Sequence, residues 1–218
     1  GVTAFIGLPY KPKINIPKEL VDIKVKTRDF SICDLNYWKQ YGISIDHLKK
    51  FNVYSISHYW LNGKIFYINK NKLVYAYHFF GKFKIYAPYS EYKWMSNCDT
   101  SIIQGWDQLK KKGELLVITK SLKDVILLDS YGISSIAPQS ETIVIDEKIM
   151  DKLFKRFDNI ITFFDGDTTG KSLTERYWDK YKLYGVGCPE NTSKDVSDFY
   201  KDFGEEKTKE LLKNLSLI

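Results

Sequence analysis

The sequence predicts an α/β protein in two parts. A mostly parallel sheet flanked by helices occupies residues 113–218, and a mixed α+β basic half with an antiparallel meander precedes it over residues 1–112. Three observations carry this. Short aromatic and β-branched segments alternate between residues 53 and 89, the pattern of half-buried antiparallel strands. After Lys112, continuous apolar runs of strand length alternate with helical spacings, which implies parallel strands covered on both faces. The charge also divides: basic residues dominate up to Lys112, with "KPKINIPK", "DIKVKTRD" and "KKK" at 110–112, and most carboxylates lie beyond.

The elements follow in order. "DLNYWKQYGISIDHLKKF" (34–51) predicts two short helices around Gly42, with Asp34 and Ser44 as N-caps. "GKIFYI", "KLVYAYHF" and "KFKIYAP" predict strands, with "INKNK" as a turn. These aromatics suit a base-stacking platform, but aromatics alternating in strands more often simply form core. "ELLVIT" is the first parallel strand, "SLKDVILLDSYG" a helix with a glycine stop, and "ISSIAP" a second strand. "DEKIMDKLFKRF" (146–157) is an amphipathic helix, "NIITFFD" the third strand, "TGKSLTERYWDKYKL" a helix and "YGVGCP" a short fourth strand.

Composition bounds the function. With 218 residues, 44% hydrophobic and 16% aromatic, the chain is long enough for real cores. No apolar run approaches the ~20 residues of a membrane span, and nothing at the start resembles a signal peptide. Gly1 in place of a methionine suggests an excised fragment or a tag scar. Cys33, Cys98 and Cys188, like His47, His58 and His78, are scattered without metal-ligand spacing, so reduced thiols and a cytoplasmic setting are expected. The net charge of +6, concentrated in one half beside an acidic half, suggests a surface for a polyanion next to a site for a cation.

The stretch "NIITFFDGDTTGKS" (159–172) places two carboxylates on one turn. It is not a P-loop, because three residues rather than four separate Gly166 from Gly170. Asp165 and Asp167 would repel each other unless a cation intervenes, and Mg²⁺ favours a few carboxylates with water and phosphate oxygens. A turn former at 165 and a helix N-cap at 167 explain the same residues. Their place at the carboxyl end of a parallel strand, where ligands of such sheets bind, favours the functional reading.

Residues 113–204 resemble the TOPRIM domain of bacterial- and phage-type (DnaG-like) DNA primases and of topoisomerases. The likeness rests on "LLVITKSLKDVILLDSYGI", "IAPQSE", "ITFFDGDTTGKS" and "NTSKDVSDFY" in that order. It implies that Asp165, Asp167 and Asp195 hold Mg²⁺ or Mn²⁺, with Asp198 nearby and Lys194 adjoining the cluster. "KWMSN" (93–97) followed by "IIQGW" is similar to a basic motif ahead of TOPRIM in these primases, where it contacts nucleotide or template. Lys93 matches its lysine, and Asn97 follows in a swapped Ser-Asn order.

One departure stands out. The family's glutamate after the first strand is replaced by Lys120. Either the site binds without catalysing, or another acid takes over, for which Glu141 in "APQSE" lies at the same sheet edge. The resemblance implies the RNA-polymerase region of a phage-type primase, joining ribonucleoside triphosphates on a single-stranded DNA template in the host cytoplasm. It also implies a replicative helicase as partner and a zinc-binding domain upstream in the parent protein. Lys120 and Lys123 would offset phosphate charge, beside Asp165 and Glu141 as catalytic groups. A TOPRIM nuclease and a non-catalytic nucleic-acid-binding module are the alternatives.

Overall fold

The computed structural model describes residues 21–140 and 142–218; the basic "KPKINIPK" segment and Glu141 lie outside the described residues. Strand β1 (Ile23–Arg28), not anticipated from the sequence, pairs antiparallel with β2 (Val53–Leu61). Its "IKVKTR" alternates β-branched with cationic residues, the pattern of a strand with one wet face. Helix α1 (Ile32–Lys39) is capped by Ser31, one turn earlier than expected. Asp34 sits at the third helical position and closes a reciprocal capping box, its carboxylate accepting from the Ser31 backbone at 2.7 Å. Helix α2 (Ile45–Lys50) is capped by Ser44 as predicted.

Strands β3 (Lys64–Tyr67), β4 (Tyr75–Phe79), β5 (Lys82–Tyr86) and β6 (Trp94–Ser96) complete an antiparallel sheet of order β1-β2-β4-β5-β6, with β3 also on β2. Register places Tyr75, Tyr86 and Trp94 in one cross-strand row and Tyr77, Lys84 and Ser96 in the next. Alternation along each strand sends both rows to the same face.

The second half is a parallel sheet of order β10-β9-β7-β8, built from β7 (Gly113–Thr119), β8 (Ser135–Ile136), β9 (Phe157–Phe163) and β10 (Gly185–Val186). Helices α3 (Leu122–Ser130) and α6 (Val196–Asn214) cover one face, where Val117, Phe163, Leu128 and Leu212 pack together. Helices α4 (Glu147–Phe154) and α5 (Thr168–Tyr181) cover the other, where Leu116, Ile118, Leu153 and Tyr177 meet. Neighbouring residues of β7 thus enter opposite cores, the reason its sequence is apolar without alternation. Helix α4 ends at Phe154 rather than at 157, because Phe157 is already paired with Gly113 as the first residue of β9.

A further core joins the halves across residue 112. Tyr37 and Trp38 of α1 and Tyr75 and Tyr77 of β4 pack with Leu122, Val125 and Ile126 of α3. This shared core fixes the face bearing Tyr86 and Trp94 against the carboxyl edge of the parallel sheet, leaving a cleft between them.

Candidate active site

The carboxyl ends of β7 and β9 and the start of α6 converge. The chain leaves β7 at Thr119 into Lys120, and leaves β9 through Phe164 into Asp165-Gly166-Asp167. Asp167 caps α5, accepting from the Gly170 backbone at 3.0 Å. A Cβ on Gly170 would collide with the Asp165 main chain, so glycine there allows the helix to start against the aspartate turn. Asp195 caps α6, accepting from the Asp198 backbone at 2.7 Å, and the Gly166 amide donates to the Lys194 carbonyl at 3.2 Å. The cap role set out for Asp167 is thus observed.

Lys120 occupies the gap between the acids. Its Nζ donates to Asp165 and lies 2.9 Å from Asp195 Oδ2. The three side chains are 17%, 4% and 7% exposed, so this is a buried bridge. Burial opposes the charge on Lys120, but Asp195, Asp124 and Asp165 outweigh it and hold the ammonium protonated. Asp165 stands differently. Burial pushes its carboxyl up to about 6, with Lys120 pulling it down and Asp195 and Asp167 adding to the rise. Its Oδ1 is buried without a hydrogen-bond partner among the described residues. Asp195, also penalised by burial, has both Lys123 and Lys120 beside it and is held below the usual carboxylate range.

A second layer supports the bridge. Asp124 in α3 is fully buried, and burial raises its carboxyl. It accepts from Ser121 Oγ at 2.7 Å, from the Ser197 backbone at 3.3 Å and from the Ser197 hydroxyl. Lys123 reaches Asp198 at 3.2 Å and lies 4.0 Å from the centroid of the Tyr41 ring. Lys194 pairs with Asp167 at 2.8 Å.

Two openings flank the acids. A cleft of about 560 Å³ between the halves is lined by Lys84, Lys93, Lys120, Lys123 and Asp195, with Tyr86, Trp94 and Gln139. A second, of about 790 Å³, lies beyond Asp165 and Asp167 and is lined by Lys171, Cys188 and Lys194. Lys93, Lys120 and Lys123, 27 to 30 residues apart from the first to the others, therefore share one cleft. Asn97 does not line it. Buried at 4% exposure, it accepts from the Phe83 backbone at 2.7 Å and ties β6 to β5. Glu141 lies outside the described residues.

Sequence reasoning missed Lys84, Trp94, Gln139 and Asp124. Lys84 was visible only as a strand residue and Trp94 only as an unremarked position inside "KWMSN", because cross-strand register is needed to bring them together. Lys-Asp at 123–124 stood inside a quoted motif, but its helical spacing masked a buried carboxylate.

Among the described residues, no three acids, histidines or cysteines form a ready metal-ligand set. Lysines hold the acids instead. The donor chemistry nonetheless fits a hard cation at the Asp165–Asp167 turn: one carboxylate oxygen is buried and unpartnered, and the other side chain is 35% exposed beside an open cleft. Burial pushes the thiol of nearby Cys188 up to about 12. No helix among the described residues is long and apolar enough to cross a membrane.

No protein-family model matches the sequence, and no curated protein matches it. Solved structures do. A DNA primase domain from Pseudomonas aeruginosa aligns at TM-score 0.62 and 14% identity, over 83% of this chain and 71% of that one. The DnaG primase catalytic domain bound to single-stranded DNA aligns at 0.60 and 13%, over 82% and 72%. The primase fragment of the bacteriophage T7 primase-helicase protein aligns at 0.57 and 14%, over 85% and 79%. With its antiparallel sheet, its parallel sheet and the cleft between them, the chain has the fold of the DnaG-like primase catalytic core.

Proposed function

We propose that this chain is the RNA-polymerase region of a phage-type DNA primase, joining ribonucleotides on single-stranded DNA by metal-dependent nucleotidyl transfer. The observation that carries the reading is that the acid edge of the parallel sheet opens into a cleft lined by four lysines. Phosphoryl transfer asks a protein for positioning and charge neutralisation more than for covalent chemistry. Asp165 and Asp167 would hold Mg²⁺ or Mn²⁺, with Asp195 behind them. The ion, when bound, supplies Lewis-acid neutralisation of phosphoryl charge.

The protein's own groups do the rest. Lys120 keeps Asp165 and Asp195 together and presents its ammonium to the cleft. Lys93 and Lys123 offset triphosphate or template charge, and Lys194 borders the Asp167 side. Glu141 is the candidate for the proton-transfer role vacated at position 120. Template DNA and ribonucleoside triphosphates are the proposed ligands. A replicative helicase is the proposed partner, in keeping with the primase-helicase neighbour.

The Lys120 bridge also favours a second reading, a nucleic-acid-binding module without catalysis, since it spends on a lysine two acids that a metal would use. A nuclease is the third. Incubation with Mn²⁺ and single-stranded DNA, with label first on ribonucleotides and then on DNA, separates them. Template-dependent RNA products establish the primase, cleaved DNA establishes the nuclease, and salt-sensitive binding without either establishes the module.

A further inference from the structure

The cleft has an aromatic wall whose exposure needs a reason. Tyr86 and Trp94, cross-strand partners, stack with centroids 4.3 Å apart and planes at 19°. Lys84 Nζ lies 4.8 Å from the indole centroid and donates to the Gln139 carbonyl at 2.7 Å, which ties this wall to the loop after β8. Although one face of its ring is covered by Tyr86, Trp94 remains 45% exposed at the cleft. Core packing does not account for an indole left half in water.

Two polar groups lining the same cleft are unsatisfied. Both side-chain amide atoms of Gln139 are buried without a hydrogen-bond partner among the described residues. So is the hydroxyl of Tyr77, a residue only 1% exposed. Buried polar atoms are nearly always paired, and leaving them unpaired is costly. What the cleft itself presents is the exposed indole beside Lys93, Lys120 and Lys123, which suits a group with a flat π-face and a negative charge.

We propose that Trp94, backed by Tyr86, is a nucleobase platform: a base stacks on the indole and its phosphates run toward the lysines. This rests on the polymerase reading and deepens it. Stacking tolerates any base, because every base has a π-face. The base belongs to an incoming nucleoside triphosphate or to the template strand, and the two are separable.

The test measures equilibrium binding to the full chain of ATP against tripolyphosphate, and of a short single-stranded oligonucleotide against its abasic counterpart. Trp94→Ala is expected to weaken ATP about tenfold or more while leaving tripolyphosphate unchanged. Trp94→Phe, which keeps a π-face, should recover most of the loss. If the platform serves the template, the loss falls on the oligonucleotide and spares both ATP and the abasic strand. Unchanged ratios for both pairs overturn the proposal. So does an equal loss of ATP and tripolyphosphate in Trp94→Ala that Trp94→Phe does not reverse, which marks a general loss of structure or charge. Base-dependent loss in a protein that makes no primers would sink the polymerase reading and leave the platform standing.

Discussion

Replacing Lys120 with Met removes the cation from a bridge that water hardly reaches. The ammonium joins Asp165 and Asp195, whose side chains are 4% and 7% exposed. Deleting one partner of such a buried pair leaves uncompensated charge and costs roughly 3–5 kcal/mol. For a chain of this length that is a fall of about 6–20 °C in midpoint temperature. Two carboxylates facing each other without an ammonium bind a divalent ion better than two already neutralised. Mn²⁺ should therefore restore much of the lost stability in Lys120→Met and shift the wild type far less. Lys120→Glu adds a third carboxylate and should be the least stable of the three without metal. Thermal unfolding of each variant, with and without millimolar Mn²⁺, reads these effects independently of catalysis. If Lys120→Met unfolds within about 1 kcal/mol of wild type and ignores Mn²⁺, Lys120 is a solvated surface charge and the bridge is not a structural element.

Four further outcomes are expected. Asp167→Asn should abolish metal-dependent activity at a stability cost under about 1 kcal/mol, since Asn caps helices as well as Asp and the Lys194 pair is exposed; retained turnover with Mn²⁺ would reject the metal assignment. Lys93→Ala should lower the salt slope of single-stranded DNA binding by about 0.7 if it neutralises one phosphate, whereas an unchanged slope makes it a bystander. Asp34 is buried and bonded to Arg28 at 2.7 Å, and although burial opposes it, Arg28 and Ser31 hold its carboxyl below 3.8. The stability it contributes is thus complete above pH 3.8 and lost as pH falls through the depressed value; Asp34→Asn should flatten acid unfolding in that window and cost about 3 kcal/mol at neutral pH. Glu141→Gln should slow primer synthesis roughly 10²-fold if it serves as acid or base, and an unaltered rate would assign that role elsewhere.

How much was legible depended on the range of the interaction. The parallel sheet announced itself because β7 and β9 bury both faces and therefore read as unbroken apolar runs. The aspartate turn was legible for the same reason: a buried strand that ends in two acids leaves few uses for them. Local rules failed where two of them competed. Ser31 and Asp34 are both cap residues, and the three-residue spacing that makes them one capping box was the signal that Ser31, not Asp34, starts α1. Strand β1 alternates as a strand should, but its lysines sit in a basic stretch that drew attention to charge instead.

The site itself is mostly non-local. Lys120 meets Asp165 across 45 residues and Lys123 meets Asp198 across 75. Sequence placed these residues at one sheet edge but assigned the acids to a metal and the lysines to phosphate. The fold also pairs them with each other, because acids buried this deeply cannot wait uncompensated for a ligand. Asn97 shows the converse. A motif position matched by residue type turned inward, because β6 is only three residues long and needs a side chain to close its pairing with β5. Lys120 is thus more than a departure from the motif it resembles. It neutralises Asp165 and Asp195 from within the chain, and on the proposed polymerase reading an ion or triphosphate entering the cleft would compete with that ammonium or work beside it.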